Sequence, residues 1–309
     1  MSLDKKTPPV LFKKKKKLKM QKSVPYIFVM PFIVAFLLFY LYPVISTFIM
    51  SLQEILGPGD VKFIYFKNYV NLINPDFYDA LITNTWYTFW TLVVLIPLPI
   101  FLAVLLNSKI TIARNLFRSV LFIPALTSVV VAGIFFRLFF GGMETTIPNT
   151  ILKFFGQEPL VWTFKYHTAM FVLVMIATWR WLGVNVVYFL AGLQNIPNEL
   201  YEAAAIDGAN PFKRFIYITL PGLKPVILYV LTISIYAGYA MFSESYILYP
   251  NARTPGNIGL TSVLYLYQQG FDHNNLGFAS AIGITLLLII FTINTIQLNF
   301  LGFFKKEGE

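Results

Sequence analysis

The sequence predicts an all-α membrane protein with six transmembrane helices. Three observations carry that expectation. Of 309 residues, 57% are hydrophobic and 12% charged, about half the charged share of soluble domains. Six apolar stretches are long enough to cross about 30 Å of hydrocarbon at about 1.5 Å per residue. Lysine and arginine gather on alternate connections, as the positive-inside rule describes.

The stretches lie near 26–50, 82–106, 119–140, 167–192, 225–248 and 276–300. The first is too long for the core of a signal peptide and no small-residue cleavage pattern comes after it, so it is read as a retained span. Pro31 and Pro43 fall inside it, Pro97 and Pro99 inside the second and Pro124 inside the third. Such prolines are tolerated where neighbouring helices satisfy the freed carbonyls, and they read as kinks or as hinges. The second and fifth stretches have polar ends. The fourth holds Arg180 deep in its length, where a charge must meet a partner or water. Glu244, toward the end of the fifth, is the acidic partner within reach.

Seventeen lysines and arginines fall on one side of this arrangement and five on the other. The heavy side takes in a tail at 1–24 with nine lysines, the loop at 193–224 and a tail at 305–309. Both termini are therefore expected in the cytoplasm of a bacterial or archaeal cell, with residues 25–304 as the transmembrane domain. The lysine run anchors topology and would also attract anionic membrane lipid.

Several chemistries are excluded. The chain has no cysteine and two histidines, His167 and His273, so neither thiol chemistry nor a zinc site is expected. The net charge of +10 sits at membrane-flanking positions, so nucleic acid is not an expected partner. No Gly-x4-Gly-Lys-Ser/Thr run is present to cradle phosphates. Gly57-Pro58-Gly59 and Gly141-Gly142 read as turns. No catalytic residue, metal or cofactor is expected in this chain.

The 193–224 loop is the most informative segment. It runs Glu202-Ala203-Ala204, three residues, Gly208, nine residues, then Ile218-Thr219-Leu220-Pro221. Physically it predicts two short helices. Asn198 is placed to cap the first and Gly208 to end it in a left-handed turn. Asn210 caps the second, with Pro211 at its first position. Phe212, Phe215 and Ile216 recur at helical spacing, and the alanines leave a low surface beside Glu202 and Asp207. The residues alone fit either an interfacial helix on lipid headgroups or a docking knob.

The spacing resembles the EAA loop of permease subunits in binding-protein-dependent ABC importers. Pro25-Tyr26, Phe39-Tyr40-Leu41-Tyr42-Pro43, Phe66-Lys67-Asn68-Tyr69, Asn84-Thr85 and Arg118 with Leu121-Phe122-Ile123-Pro124 extend the resemblance to MalF-like carbohydrate permeases. Phe122 to Ser128 and Ser234 to Ala240 are similar to permeases for arabinose or arabino-oligosaccharides. The resemblance implies a MetI-like type I importer fold. It implies a second permease subunit, two copies of a cytoplasmic ATPase that hold the ATP and Mg, an extracytoplasmic solute-binding protein, and a di- or oligosaccharide as cargo. It assigns ATPase coupling to Glu202, Ala203, Ala204, Asp207, Gly208, Phe212, Ile218, Leu220 and Pro221.

Sugars stack on aromatic rings and hydrogen-bond through hydroxyls. That chemistry, with the resemblance, points to Trp179, Trp181, Gly183, Asn185, Gly238, Met241 and Glu244 as substrate contacts. Each also has a plainer reading: interhelical packing for the tryptophans and glycines, a helix–helix hydrogen bond for Asn185. An importer of another solute, such as an amino acid, polyamine or phosphate, stays open, as does a stand-alone secondary transporter.

Overall fold

The computed structural model describes residues 24–57, 59–108, 113–249 and 254–301. Lys109, Arg253, the carboxy-terminal tail and all of the amino-terminal tail but Val24 lie outside them. The chain divides into two units, residues 1–46 and 47–309.

Helix α1 runs Pro25–Ser51. Within the first unit it carries Pro31 and a π turn at Leu37–Leu41, where the Tyr42 N–H reaches back to the Leu37 carbonyl. Pro43 comes immediately afterwards and has no N–H to continue the α pattern, and a local widening removes the clash. Phe32, Phe36 and Tyr40 stack at four-residue intervals, with centroids 6.5 and 6.1 Å apart.

The second unit opens with a hairpin, β1 (Gln53–Gly57) and β2 (Asp60–Phe63), paired antiparallel. Its turn uses Gly59 at φ +84°. This hairpin is an addition to the all-α expectation. The short α2 (Lys67–Asn71) is fastened to it by Asn68, whose amide donates to the carbonyls of Ser51 (3.0 Å) and Gln53 (2.9 Å).

The second span is longer than expected. It joins α3 (Pro75–Leu95) to α4 (Pro97–Asn107) as one 33-residue element. Asn74 caps it by accepting from the Phe77 N–H at 2.9 Å. The third span differs from the expected continuous helix at 119–140. In its place stand α5 (Arg114–Leu126) and α6 (Val129–Phe139), bent by 94° and long enough to cross a membrane only as a pair. Thr127 and Ser128 take extended backbone between them, and β-branched Thr127 and turn-forming Ser128 suit that break better than a helix interior. A short helix α7 (Ile147–Phe154) precedes the uninterrupted fourth span, α8 (Tyr166–Gln194).

The loop after α8 forms α9 (Asn198–Ile206) and α10 (Pro211–Gly222). At the place expected for the fifth span stands α11 (Lys224–Tyr239), which leaves α10 at 63°; only the bent pair α10–α11 together is long and apolar enough to cross a membrane. Helix α11 stops at Tyr239 rather than continuing to 248, and α12 (Ser243–Leu248) lies beyond the break. Glu244 therefore belongs to α12, not to the fifth span. The chain closes with α13 (Ser262–Tyr267) and the sixth span, α14 (Leu276–Phe300).

Three buried clusters hold this unit together. One joins α3, α13 and α14 through Phe77, Leu264, Phe278 and Ile282. A second joins α6, α8 and α12 through Phe136, Leu173, Ile176 and Leu248. The third joins α4, α8 and α11 through Ile100, Phe189, Leu193 and Val230, with Phe215 and Ile218 of α10 packed on it. In lipid the hydrophobic effect does not drive helices together, so close contact over small residues and interhelical hydrogen bonds carry more of the load. A Cβ on Gly192 would lie 2.7 Å from Val226, which shows how tightly α8 meets α11.

Asn84 is the principal polar rivet. Its amide donates to the Gly238 carbonyl at 2.8 Å, and its oxygen accepts from the Ser262 N–H at 2.7 Å. It thereby satisfies a helix C-terminus and a helix N-terminus at once, both of which would otherwise be unpaired in a dry interior.

Candidate functional site

A cavity of about 300 Å³ opens between α3, α8, α11 and the break after α11. Trp181, Asn185, Gly238, Met241 and Glu244 all line it. The structure thus brings together five of the seven residues expected to touch substrate. Trp179 and Gly183 are elsewhere. Trp179 packs edge-on against Phe136, with centroids 5.6 Å apart. A Cβ on Gly183 would fall 1.9 Å from the Leu121 carbonyl oxygen. Gly183 is where α5 crosses α8, and its missing side chain permits that crossing.

Two cavity residues also have structural roles. The Asn185 amide donates to the Leu95 carbonyl at 3.0 Å. In an unbroken helix that carbonyl would receive the N–H of residue 99, which is a proline and has none. Asn185 supplies the missing donor. Gly238 faces Thr88, whose Oγ1 lies 2.1 Å from where a Cβ would sit, so α3 and α11 nearly touch there.

Sequence reasoning missed the α3 wall. Tyr87, Thr91 and Leu95 line the cavity from that side. The signal was present: Asn84, Tyr87, Thr88 and Thr91 are all buried and recur at three- and four-residue spacing, which puts them on one helix face. Ser234 and Ser243 add hydroxyls, and Tyr188 a phenol. The lining therefore combines one indole face with several hydrogen-bonding groups.

Arg180 and Glu244 form the ion pair that their depth in the sequence called for. Arg180 Nη1 lies 3.4 Å from Glu244 Oε1, and both side chains are largely buried. The guanidinium also lies over the Trp181 ring, 5.3 Å from its centre. The turn at Ala240–Phe242 redirects the chain so that α12 delivers Glu244 to this place. Beyond it, burial pushes the Tyr249 phenol up, and its hydroxyl donates to the Thr163 carbonyl at 3.0 Å.

A second cavity, about 750 Å³, lies between α3 and α8 and is lined by Trp86, Trp90, Leu98, Met170, Phe171 and Met175 among others. Its wall is mostly apolar, with Tyr166, His167 and Thr178 as its polar members, fewer than the first cavity offers a hydroxylated solute.

The other candidate surface is the loop α9–α10. Gly208 has φ +75°, its N–H meets the Ala205 carbonyl at 3.1 Å, and the Ala209 N–H meets the Ala204 carbonyl at 2.8 Å. These two bonds are the Schellman closure. Asn210 accepts from the Lys213 N–H at 2.8 Å. Asn198 does not cap α9: it is the first helical residue, and Pro197 precedes it without a side-chain bond. The fixed φ of Pro197 holds the entry to the helix instead.

Glu202, Ala203, Asp207, Gly208, Phe212, Leu220 and Pro221 are exposed, and Ala204 and Ile218 half-buried. Ile206 is 87% and Phe212 69% exposed, the two most prominent apolar side chains of α9 and of the start of α10. Phe215 turns inward to the third cluster. Tyr201 and Thr219 share a hydroxyl hydrogen bond of 2.9 Å, and Arg214 Nε donates to the Ala209 carbonyl at 3.0 Å. The knob is braced from beneath and exposes two large apolar side chains beside the charged Glu202 and Asp207. Ile206 was the residue overlooked, because the motif directs attention to the alanines.

Among the described residues no cluster of three or more His, Cys, Asp or Glu could hold a metal.

Residues 95–301 match the family described as "Binding-protein-dependent transport system inner membrane component". The chain belongs to this family. It is a multi-pass membrane transport subunit, and membership implies a solute-binding protein and an ATPase beside it. It is 58% identical to the arabinooligosaccharides transport system permease protein AraP of Bacillus subtilis (strain 168), over 93% of this chain and 91% of that protein. It is 50% identical to the protein of the same name from Halalkalibacterium halodurans, over 94% and 91%. Its fold matches the crystal structure of a bacterial ABC transporter involved in the import of the acidic polysaccharide alginate. The TM-score is 0.79 at 22% identity, over 93% of this chain and 98% of that one.

Proposed function

We propose that the chain is the permease subunit of an ATP-driven importer for a neutral arabino-oligosaccharide. The observation that carries this reading is similarity along nearly the whole chain to two permeases named for that solute class, at 58% and 50% identity. The 300 Å³ cavity supports it with one indole face and a set of hydroxyl and amide groups. Trp181, Asn185, Gly238, Met241 and Glu244 would contact the sugar, joined by Tyr87, Thr91 and Ser234. Trp179 and Gly183 would support the fourth span from behind.

Cargo would arrive from an extracytoplasmic solute-binding protein. A second, distinct permease subunit would complete the pathway, and two copies of an ATPase would bind the loop α9–α10. The charge bias supports a cytoplasmic side for both termini and that loop, with residues 25–304 as the transmembrane domain between a basic amino-terminal tail and a short carboxy-terminal one. Closure of the ATPases on ATP would push on Ile206, Phe212 and the residues around Gly208. The bracing through Tyr201, Thr219 and Phe215 would carry the push to α8 and α11, which form the cavity wall. No bond is made or broken in this subunit.

The test is uptake in proteoliposomes carrying the whole transporter and its solute-binding protein. ATP-dependent entry of radiolabelled arabinotriose is expected. Entry of an amino acid, a polyamine or phosphate in its place would overturn the sugar assignment. Entry without the ATPase would overturn the importer assignment.

A further inference from the structure

Among the described residues seventeen line the proposed sugar cavity, and Glu244 is the one carboxylate or base among those. Arg180 meets it from behind the wall, with Nη1 3.4 Å from Oε1. That separation exceeds the roughly 2.7–2.9 Å of a tight charge-assisted bond. Arg180 Nε is buried and has no partner among the described residues. The same guanidinium covers Trp181, which lines the cavity. So an arginine with unspent donor capacity, an indole and a carboxylate meet at one wall.

We propose that the Arg180–Glu244 pair selects the solute by charge, admitting neutral saccharides and rejecting uronic-acid oligosaccharides. This rests on the sugar-pathway reading above. Arginine keeps its charge in proteins, and a buried charge needs a counter-charge. Glu244 supplies it and leaves the wall neutral overall. A carboxylate on the solute would have to approach the Glu244 carboxylate in a medium that screens poorly. Without the glutamate charge, the wall would offer an indole for a sugar ring and a free guanidinium for a carboxylate. That combination suits a uronate.

The complete transporter in detergent, without its solute-binding protein, would be titrated with arabinotriose and with a galacturonic acid trisaccharide. The wild type is expected to favour arabinotriose. In Glu244→Gln the ratio of affinities should move toward the uronate by about tenfold or more, as expected for loss of a unit charge within a few ångströms. In the double variant Arg180→Met/Glu244→Gln, which leaves no buried charge, that gain should disappear and discrimination should be weak. An unchanged ratio in Glu244→Gln overturns the proposal. Should that variant fail to assemble, retained wild-type discrimination in the double variant overturns it equally. Wild-type uptake of arabinotriose with the solute-binding protein separates the two ideas. Its absence sinks the sugar pathway, whereas normal uptake with an unchanged ratio sinks charge selection alone.

Discussion

Replacing Asn185 with alanine should destabilise the protein through a carbonyl that is not its own. The Asn185 amide is the hydrogen-bond donor to the Leu95 oxygen, at 3.0 Å, because Pro99 has no N–H to give. Asn185 is buried, so its loss leaves that oxygen without its donor. An unsatisfied buried polar group costs about 1–3 kcal/mol in soluble proteins. Interhelical hydrogen bonds in membranes average nearer about 0.6 and reach about 1.7 kcal/mol. Together these set the cost at about 1–2 kcal/mol, read as a loss of several degrees in thermal denaturation of the detergent-solubilised subunit. The decisive background is Pro99→Ala. It restores the backbone donor, α4 can satisfy Leu95 within the helix, and Asn185→Ala should then cost under about 0.5 kcal/mol. An equal cost in both backgrounds would refute the reasoning, because Asn185 would then be acting through packing or some other contact.

Two glycines should separate crowding from backbone geometry. Gly183→Ala puts a Cβ 1.9 Å from the Leu121 carbonyl, so α5 and α8 must part, at a cost of about 1–3 kcal/mol. Gly208→Ala meets no atom within 4 Å but sits at φ +75°, so its cost should be near about 1 kcal/mol. Thermal denaturation of both variants should rank them in that order. On the coupling face, Ile206→Ser with Phe212→Ser should leave stability unchanged, since both side chains are exposed. Co-purification of the ATPase and ATP-driven uptake should be lost, as they should with Glu202→Lys or Gly208→Asp. Normal uptake in all of these would remove the loop from the coupling mechanism.

The presence of four to six apolar helices along the chain was legible because hydropathy integrates over some twenty residues, and the closure of α9 at Gly208 was legible because left-handed backbone selects glycine. The Arg180–Glu244 contact was readable from cost alone: a charge at that depth demands a partner. The bend at Thr127–Ser128 was not readable, because a bent span and a straight one have the same hydropathy, and Pro124 marks only the neighbourhood. The break at Ala240–Phe242 contains no proline or glycine. It is held from outside, by Asn84 on the Gly238 carbonyl and by Thr261 donating to the Met241 carbonyl at 2.8 Å. Local sequence cannot announce a helix end whose reasons lie on other helices. The Tyr87–Thr91 wall escaped for a different reason: averaging over an apolar window hides a narrow polar stripe.

The prolines show what lies behind a sequence signal. Pro43, read as a kink or hinge, and Pro221 of the coupling loop each come just after a π turn, at Leu37–Leu41 and at Phe215–Thr219. In the second, the Leu220 N–H bonds to the Phe215 carbonyl, and Pro221 has no N–H for the Tyr217 carbonyl. A π turn adds one residue to a turn, so it rotates the helix segment on one side of it relative to the segment on the other. Here it lies between the exposed Phe212 and the buried Leu223. Pro221→Ala removes the reason for the extra residue. If the turn relaxes to an α-helix, Phe212 should rotate by about 100° relative to the anchored Leu223, the angle of one helical residue. The subunit should still fold, because Leu223 and Phe215 keep their cluster, while ATP-driven uptake should fall sharply. Crosslinking from a cysteine at position 212 to the ATPase should weaken in parallel. Undiminished crosslinking and uptake would mean that the π turn is retained without the proline, or that the coupling face does not depend on its angle to the fifth span.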